Sequence, residues 1–288
     1  MNTKLSALIF SKLEANTTIK KYNELLTINI LEIMNYKKKM SYFSWGVYYA
    51  HISKLSNSQK TDDLKVLYSI ELLGLSARLI DDALDKDSLL FERMTTEYLF
   101  LLSTELIVES LDQLCHQPYW DYSYLNSALN AERIDYSTTL NSNNISIDFY
   151  FENIIPKSTA SFQLFTKMAS HNNEQLNLFS IHFGTYLQIK NDLLGFWEDD
   201  SFDIHNLKCT LPLLTGIQTL HQKKNDALVT LLNSSSDLEL IRKKIVETGA
   251  IRFCSDLMHE EKNKASAILT HFKDQPYFNE LKNYLRLE

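Results

Sequence analysis

Residues 66–87 read VLYSIELLGLSARLIDDALDKD, an apolar stretch that ends in four aspartates. Apolar side chains recur every three or four positions, which predicts a long helix with a broad buried face. Asp81 and Asp85 are four residues apart and therefore lie one turn apart on the same side of that helix. Like charges at this spacing repel, and acids near a C-terminal helix end oppose the helix dipole. A bound cation would remove both costs.

The rest of the sequence repeats the helical period and has few residues that favour tight turns. Its 288 residues include 6 glycines and 4 prolines, and 44% are hydrophobic. Turns between strands usually recruit glycine and proline, so their scarcity favours long helices with short polar connections. No stretch of any length alternates in the manner of a strand, and no internal repeat or linker is visible. We expect an all-α chain of about ten helices that forms a single domain over residues 1–288.

Charge and cysteine content exclude several classes of function. The formal net charge is −7, so the chain has no bulk attraction for nucleic acid. Cys115, Cys209 and Cys254 are far apart in the sequence and have no nearby histidine, so neither a disulfide nor a zinc site is predicted. No apolar run reaches the roughly 18 residues needed to span a bilayer. These features predict a protein of the reducing cytoplasm without a transmembrane segment.

The aspartates at the end of the first stretch suit a hard metal ion. Asp82 and Asp87 add to the repulsion between Asp81 and Asp85. Carboxylates without neighbouring histidine or cysteine favour Mg²⁺, which takes few protein ligands and completes its shell with phosphate and water. Taken alone, the pattern is equally consistent with a solvated acidic helix end.

A second acid-bearing helix is predicted over residues 186–200, YLQIKNDLLGFWEDD. Gln188 and Asp192 lie one turn apart, and Asn191 and Gly195 lie on an adjacent strip of the same helix. If the two helices face each other across a cavity, each can hold metal, with a diphosphate between them. Mg²⁺ on the phosphate oxygens would neutralise the leaving group while a C–O bond breaks.

Two lysines are candidate partners for such a diphosphate. Lys157 follows a predicted helix break at Pro156, and Lys208 lies in the polar loop after the second acidic helix. Both have small hydroxyl residues beside them, which makes phosphate contact plausible. An ordinary surface role remains the alternative for each lysine.

Taken together, these segments resemble the motifs of the trans-isoprenyl diphosphate synthases, or polyprenyl synthetases. LIDDALDKD (79–87) is similar to their first aspartate-rich motif (DDxxD) and QIKNDLLGF (188–196) to their second. KSTASF (157–162) and DIHNLKCTLPLL (203–214) are similar to two further segments, and the motifs occur in the family's order over roughly residues 20–275. The resemblance implies an isoprenoid-synthase fold around a central cavity, three Mg²⁺ ions, an allylic prenyl diphosphate that ionises to a carbocation, and a homodimer.

The same resemblance assigns roles to individual residues. It implies metal binding by Asp81, Asp82, Asp85, Asn191 and Asp192. It implies diphosphate binding by Lys157, Gln188 and Lys208, and catalytic roles for Asp81, Asp85, Asp192 and Lys208. Gly195 stands where the second motif has its third acid and cannot bind metal.

Two segments depart from the pattern of chain-elongating members. Residues 41–45 read SYFSW where those members carry the basic GKRxR segment that binds isopentenyl diphosphate, and residues 90–92 read LFE in place of Arg-Arg-Gly. Whether Arg93 or Lys37–Lys39 replaces the missing cations is left open. The loss favours an acceptor other than isopentenyl diphosphate, as in the ComQ-type isoprenyl transferases, which prenylate a tryptophan of a small quorum-sensing peptide.

Other functions are consistent with the same residues. The NDLLGFWED segment also resembles the metal motif of terpene cyclases, with Gly195 and Asp199 in the places of its Ser and Glu. Chain elongation with a divergent isopentenyl diphosphate site and a non-catalytic synthase subunit are the remaining alternatives. The resemblance also implies that the residues one turn before the first motif limit the depth of the prenyl cavity. Here they are Ser76 and Ala77, both small, so a C10–C15 or longer prenyl chain is expected to fit unless Trp45 or another aromatic residue closes the cavity.

Overall fold

The computed structural model describes residues 2–56, 63–85, 89–140, 145–199, 201–222 and 237–287. Within these ranges the chain is helical, and extended backbone pairs only at one antiparallel bridge, between Thr139 and Lys208. The all-α prediction is therefore confirmed for the part of the chain that is described.

Sixteen α-helices are described in these ranges. In chain order they are α1 (Asn2–Ala15), α2 (Thr17–Leu26), α3 (Ile30–Ile33), α4 (Tyr36–Tyr42), α5 (Trp45–Leu55), α6 (Leu64–Asp85), α7 (Thr96–Leu114), α8 (Tyr122–Ser137), α9 (Ile147–Phe149), α10 (Pro156–Ala169), α11 (Glu174–Trp197), α12 (Phe202–His205), α13 (Leu211–Gln222), α14 (Leu238–Glu247), α15 (Ala250–Thr270) and α16 (Phe278–Leu285). Eleven of these have ten or more residues, close to the number expected.

The chain divides into two compact units, each built from separate segments. The first unit comprises Met1–Asp121, Leu164–Asn177 and Leu269–Glu288, and the second comprises Tyr122–Gln163 and Leu178–Ile268. A single domain over residues 1–288 stays a prediction. The first aspartate-rich motif belongs to the first unit, whereas the second motif and both candidate lysines belong to the second.

Helix α6 is the core helix of the first unit. Leu72, Leu75 and Leu79 are completely buried, as expected for a helix that is apolar around most of its circumference. Helix α7 packs along it, and the Ser103 hydroxyl donates a hydrogen bond of 2.8 Å to the backbone carbonyl of Ser76. The acidic C-terminal end of α6 therefore extends from a closely packed core.

A buried glutamate of α6 fixes the corner between α4 and α5. The Glu71 carboxylate accepts hydrogen bonds from the Ser44 hydroxyl (2.6 Å), the Gly46 amide (2.9 Å) and the Tyr36 hydroxyl (3.2 Å). Ser44 also caps α5, because its Oγ accepts from the Val47 amide at 3.3 Å. Burial raises the pKa of Glu71, and these hydrogen bonds oppose that rise. The chain direction through residues 41–45 is thus set by an acid in the core.

In the second unit, a π-helical turn over Tyr150–Ile154 leads into α10. Pro156 occupies the first position of α10. A backbone N–H at that position has no acceptor within the helix, so proline, which lacks this group, costs no hydrogen bond there. The predicted break at Pro156 is confirmed, and it places Lys157 in the first turn of α10. Buried side chains of Ile189, Leu211 and Cys254 pack around Tyr150.

The three cysteines are free thiols: Cys209 and Cys254 are buried and Cys115 is partly buried. Across the described ranges, every helix is too short or too polar to cross a lipid bilayer.

Candidate active site

Asp81 and Asp85 lie half-buried on one stripe of α6, in its last two turns. Asp82, between them in sequence, is buried, and its Oδ1 lies 3.2 Å from Nε of Arg78, one turn earlier. The two flanking aspartates therefore share an accessible stripe, while Asp82 turns toward the protein and pairs with a cation. Asp87 lies outside the described residues.

The donor set of α6 suits a divalent cation that a phosphate also binds. Asp81 and Asp85 offer hard oxygen ligands one turn apart. Within the described ranges, no group of three His, Cys, Asp or Glu side chains forms a closed metal site. Mg²⁺ typically takes one or two carboxylates and completes its octahedron with water and substrate phosphate. Two carboxylates on one stripe fit that requirement.

In the second unit, Asp192 of α11 is held by three protein donors. Its Oδ2 accepts from the Tyr150 hydroxyl (2.8 Å) and the Leu211 amide (2.8 Å), and its Oδ1 accepts from Gln188 Nε2 (2.9 Å). Burial raises the pKa of Asp192 to about 6, although these three hydrogen bonds oppose the rise. The carboxylate therefore ties α11 to the π-helical turn and to the start of α13.

This hydrogen bonding limits how Asp192 can meet a metal. A carboxylate has about four lone-pair positions, and both positions of Oδ2 are taken by Tyr150 and Leu211. One position of Oδ1 remains beside the bond from Gln188. Asn191, the preceding residue, is exposed. Any metal at this motif would therefore meet Oδ1 of Asp192 and the amide oxygen of Asn191.

Gly195 leaves space that a different acid fills. A Cβ atom built at Gly195 would lie 2.5 Å from Oδ2 of Asp203, far inside van der Waals contact. The Asp203 carboxylate, carried on α12, thus enters the position from which the motif's third side chain would project. The sequence analysis did not identify Asp203 as a site residue. The sequence pattern that could have indicated it is the glycine at the third motif position, Gly195, followed by an aspartate eight residues later.

Lys157 is paired with two acids of α8. Its Nζ lies 2.9 Å from Asp135 Oδ2 and 3.2 Å from Glu132 Oε1. All three side chains are less than a fifth exposed, so solvent screens these pairs only partly. Glu132 and Asp135 were not among the predicted site residues, although their spacing of three on a helix puts them on one face.

Lys208 is almost completely buried, between two aromatic rings. Its Nζ lies 5.9 Å from the ring centroid of Tyr136 and 5.7 Å from that of Phe202. A desolvated ammonium over ring faces is stabilised by the ring quadrupoles. The burial excludes an ordinary surface role for this lysine.

Two of the five predicted site residues in the second unit, Gln188 and Asp192, lie in one hydrogen-bond network. The Ser158 hydroxyl donates a short hydrogen bond to Gln188 Oε1, and Gln188 in turn donates to Asp192. The KSTASF segment and the second acidic motif are therefore connected through side chains, and their role in a shared site stays a prediction.

The first unit has an aromatic side chain in the segment where basic residues were missing. The Trp45 indole packs edge-on against Phe43 and Phe165, with centroid distances of 5.0 and 5.3 Å. A Cβ atom built at Gly74 would lie 2.1 Å from Cδ1 of Trp45. Gly74 precedes Asp81 by seven residues and Asp85 by eleven, so the indole covers the same stripe of α6, about two turns from Asp81 and three from Asp85.

The remaining candidate cations, Lys37–Lys39 of α4 and Arg93 of a turn, are exposed.

Solved structures share this fold along almost the whole chain. The geranylgeranyl pyrophosphate synthase of Lactobacillus brevis matches with a TM-score of 0.77 and 16% identity, covering 98% of this chain and 94% of that one. A polyprenyl synthase of Caulobacter crescentus, solved with calcium and isoprenyl diphosphate, matches with a TM-score of 0.69 and 16% identity, covering 98% and 96%. The chain thus has the isoprenoid-synthase fold.

A curated protein with a similar sequence is also named as a prenyl diphosphate synthase. Over 155 residues the chain is 28% identical to the all-trans-nonaprenyl-diphosphate synthase (geranyl-diphosphate specific) of Rhodobacter capsulatus. The match covers 49% of this chain and 48% of the relative, so it spans about half the length of that protein. No family model matches the sequence. The resemblance to the trans-isoprenyl diphosphate synthases is confirmed, while the ComQ-type pattern stays an interpretation.

Proposed function

We propose that this protein is a Mg²⁺-dependent prenyltransferase that acts on an allylic prenyl diphosphate of the C10–C15 class. We further propose that its acceptor is not isopentenyl diphosphate but a different nucleophile, such as a tryptophan of a small quorum-sensing peptide. One observation carries the proposal: Asp81 and Asp85 share a stripe of α6 with the uncharged indole of Trp45. The metal-binding acids are kept, and an aromatic side chain stands in the segment that is basic in chain-elongating relatives.

Asp81 and Asp85 hold the metal in this proposal, and Asp82 supports them through its pair with Arg78. Asn191 and the free position of Asp192 Oδ1 supply further oxygen ligands, for three ions in all. Bound Mg²⁺ supplies charge neutralisation on the departing diphosphate. The Caulobacter crescentus relative contains a divalent cation together with an isoprenyl diphosphate, which supports this pairing.

Lys157 and Lys208 stabilise the diphosphate as negative charge develops on it. Gln188 orients this part of the site, because it links Ser158 to Asp192. The bond between C1 of the prenyl group and the bridging oxygen breaks, and its electron pair leaves with the diphosphate. The resulting allylic cation accepts an electron pair from the acceptor, which then loses a proton to restore neutrality.

The Trp45 indole sets the length of the prenyl chain in this proposal. Seven residues of helix separate Gly74 from Asp81, about 10 Å at 1.5 Å per residue. A prenyl chain that runs from the acids along this stripe would meet the indole after that distance. This supports the C10–C15 class over longer chains, even though Ser76 and Ala77 are small.

A product assay tests the proposal. The protein is incubated with Mg²⁺ and farnesyl diphosphate, with and without isopentenyl diphosphate, and with a short tryptophan-containing peptide as a further arm. We expect prenylated peptide and no longer prenyl diphosphate. Failure to consume any allylic diphosphate in the presence of Mg²⁺ would refute the activity and favour a non-catalytic subunit.

Chain elongation is the second candidate, because the relatives named above are prenyl diphosphate synthases. A longer prenyl diphosphate in the isopentenyl diphosphate arm would establish it and overturn the acceptor proposal. A hydrocarbon or alcohol formed without an acceptor would instead indicate a terpene cyclase, with Asp199 as a further metal ligand. Light scattering of the purified protein tests the proposed homodimer, and fractionation of cells tests the proposed cytoplasmic location.

A further inference from the structure

A cavity of about 360 Å³ in the first unit is built by α1, α4, the first turn of α5 and the C-terminal end of α16. Lys37 and Arg286 supply two cations to its wall, and Ser6 is among its hydroxyl groups. Phe10 and Val47 give it an apolar floor. None of its lining residues is an aspartate or glutamate.

Both cations are held by aromatic rings of the same cavity. Lys37 Nζ lies 5.6 Å from the ring centroid of Phe10, and Arg286 Cζ lies 5.4 Å from that of Tyr42. Neither cation forms an ion pair with any of the described residues. Among the described residues, two positive charges without an acidic partner therefore lie in one cavity of a chain whose net charge is −7.

The cavity is separate from the stripe that carries Asp81 and Asp85. Trp45 points from α5 toward that stripe, where it fills the space beside Gly74. Val47 lines the cavity and is two residues further along α5, a rotation of about 200° that places it on the opposite side of the helix. A ligand here would not occupy the proposed diphosphate site of α6.

We propose that this cavity binds a small phosphate monoester with a short apolar group. Two cations in a cavity that no described acid lines match the charge of a dianion better than that of a monocarboxylate. The planar guanidinium of Arg286 suits paired hydrogen bonds to phosphate oxygens, and the Lys37 ammonium supplies a point charge. Phe10 and Val47, which also line the cavity, accept the apolar part. This inference does not depend on the proposed prenyltransferase activity.

Phenyl phosphate is a suitable probe, with inorganic phosphate as the reference, and binding is measured by titration calorimetry in EDTA. We expect saturable binding of phenyl phosphate that is tighter than that of inorganic phosphate. Lys37→Gln and Arg286→Gln should each weaken phenyl phosphate binding by about tenfold, the usual scale for one charge-assisted hydrogen bond. Lys38→Gln on α4 and Lys282→Gln on α16 are matched controls, because neither residue lines the cavity.

Two further variants separate the site from its alternatives. Ala7→Trp fills the cavity while both cations stay in place, so it should abolish phenyl phosphate binding. Asp81→Asn combined with Asp85→Asn should leave that binding unchanged. The proposal is overturned if the wild-type protein shows no saturable binding, or if the correctly folded Lys37→Gln and Arg286→Gln variants bind as tightly as the wild type. Circular dichroism and thermal unfolding establish folding for each variant.

Discussion

The indole of Trp45 fills the space that any side chain at position 74 would need. Its Cδ1 atom would lie 2.1 Å from a Cβ built at Gly74, so the two residues are fitted to each other. The same stripe of α6 bears Asp81 and Asp85. A bulky side chain from α5 is thereby placed against the helix face that carries the proposed metal ligands.

Replacing Trp45 with Ala should therefore lengthen the prenyl chain that the protein accepts. Unreactive thiolodiphosphate analogues of C10, C15 and C20 substrates are titrated in the presence of Mg²⁺. We expect the wild type to bind the C20 analogue at least about tenfold more weakly than the C15 analogue, a difference near 1.4 kcal/mol, and Trp45→Ala to remove that difference.

Trp120→Ala is the matched control, since it deletes a tryptophan from the connection between α7 and α8 rather than from α5. Loss of the Trp45 side chain should cost about 3 kcal/mol of unfolding free energy, so titrations are run well below the melting temperature. Unchanged length discrimination in folded Trp45→Ala would contradict the role given to Trp45, even if all three analogues bind.

Asp81→Ala and Asp85→Ala should each reduce turnover by at least about a hundredfold, because each removes an oxygen ligand for Mg²⁺. The melting temperature supplies a reading that does not depend on turnover. Mg²⁺ with inorganic diphosphate should raise it in the wild type and leave it unchanged in both variants. Asp112→Asn, an exposed acid of α7, serves as the control and should behave as the wild type does. Normal turnover by soluble Asp81→Ala would refute the assignment.

The raised pKa of Asp192 predicts a pH dependence of stability. Its folded-state pKa is about 6, against an ordinary value of 3.8, so the folded chain holds the proton more tightly than the unfolded chain. This contribution is fully present below about pH 4 and is lost as pH rises to about 6, by roughly 2–3 kcal/mol. Asp192→Asn should flatten that part of the curve of unfolding free energy, measured by urea titration in EDTA. An equal slope in both proteins would rule out Asp192 as its source.

Restoring an acid at the third position of the second motif should damage the protein. Gly195→Asp places a side chain 2.5 Å from Asp203 Oδ2 and adds a like charge, for an expected loss of about 1–3 kcal/mol. The double variant Gly195→Asp with Asp203→Ala should recover much of that loss. Thermal unfolding of the four proteins of this cycle measures the coupling between the two positions. Additive effects would mean that Asp203 does not occupy this space.

The long helices and the Asp81–Asp85 stripe were predictable from the sequence, because both follow from spacing within one segment. The burial of Asp82 and its pair with Arg78 lie in the same segment, yet the sequence does not give the side on which α6 packs. Periodicity describes one helix at a time, so it identifies a stripe but does not say what covers it.

Contacts between distant segments could not be predicted. Glu71 holds the α4–α5 corner from 25 or more residues away, and Asp135 reaches Lys157 across 22 residues. Asp192 was predicted as a metal ligand from its motif alone. In the structure, the hydroxyl of Tyr150, 42 residues earlier, donates a hydrogen bond to Asp192, so that this carboxylate also connects two helical segments.

The ion pairs of Lys157 affect which anions can bind at the proposed diphosphate site. Glu132 and Asp135 already pair with the ammonium at 3.2 and 2.9 Å, so an incoming anion must compete with two carboxylates for it. An anion with little charge competes poorly for such a lysine, whereas a metal-bound diphosphate brings more oxygens and more charge. The two ion pairs would therefore disfavour binding of singly charged anions relative to a metal-bound diphosphate.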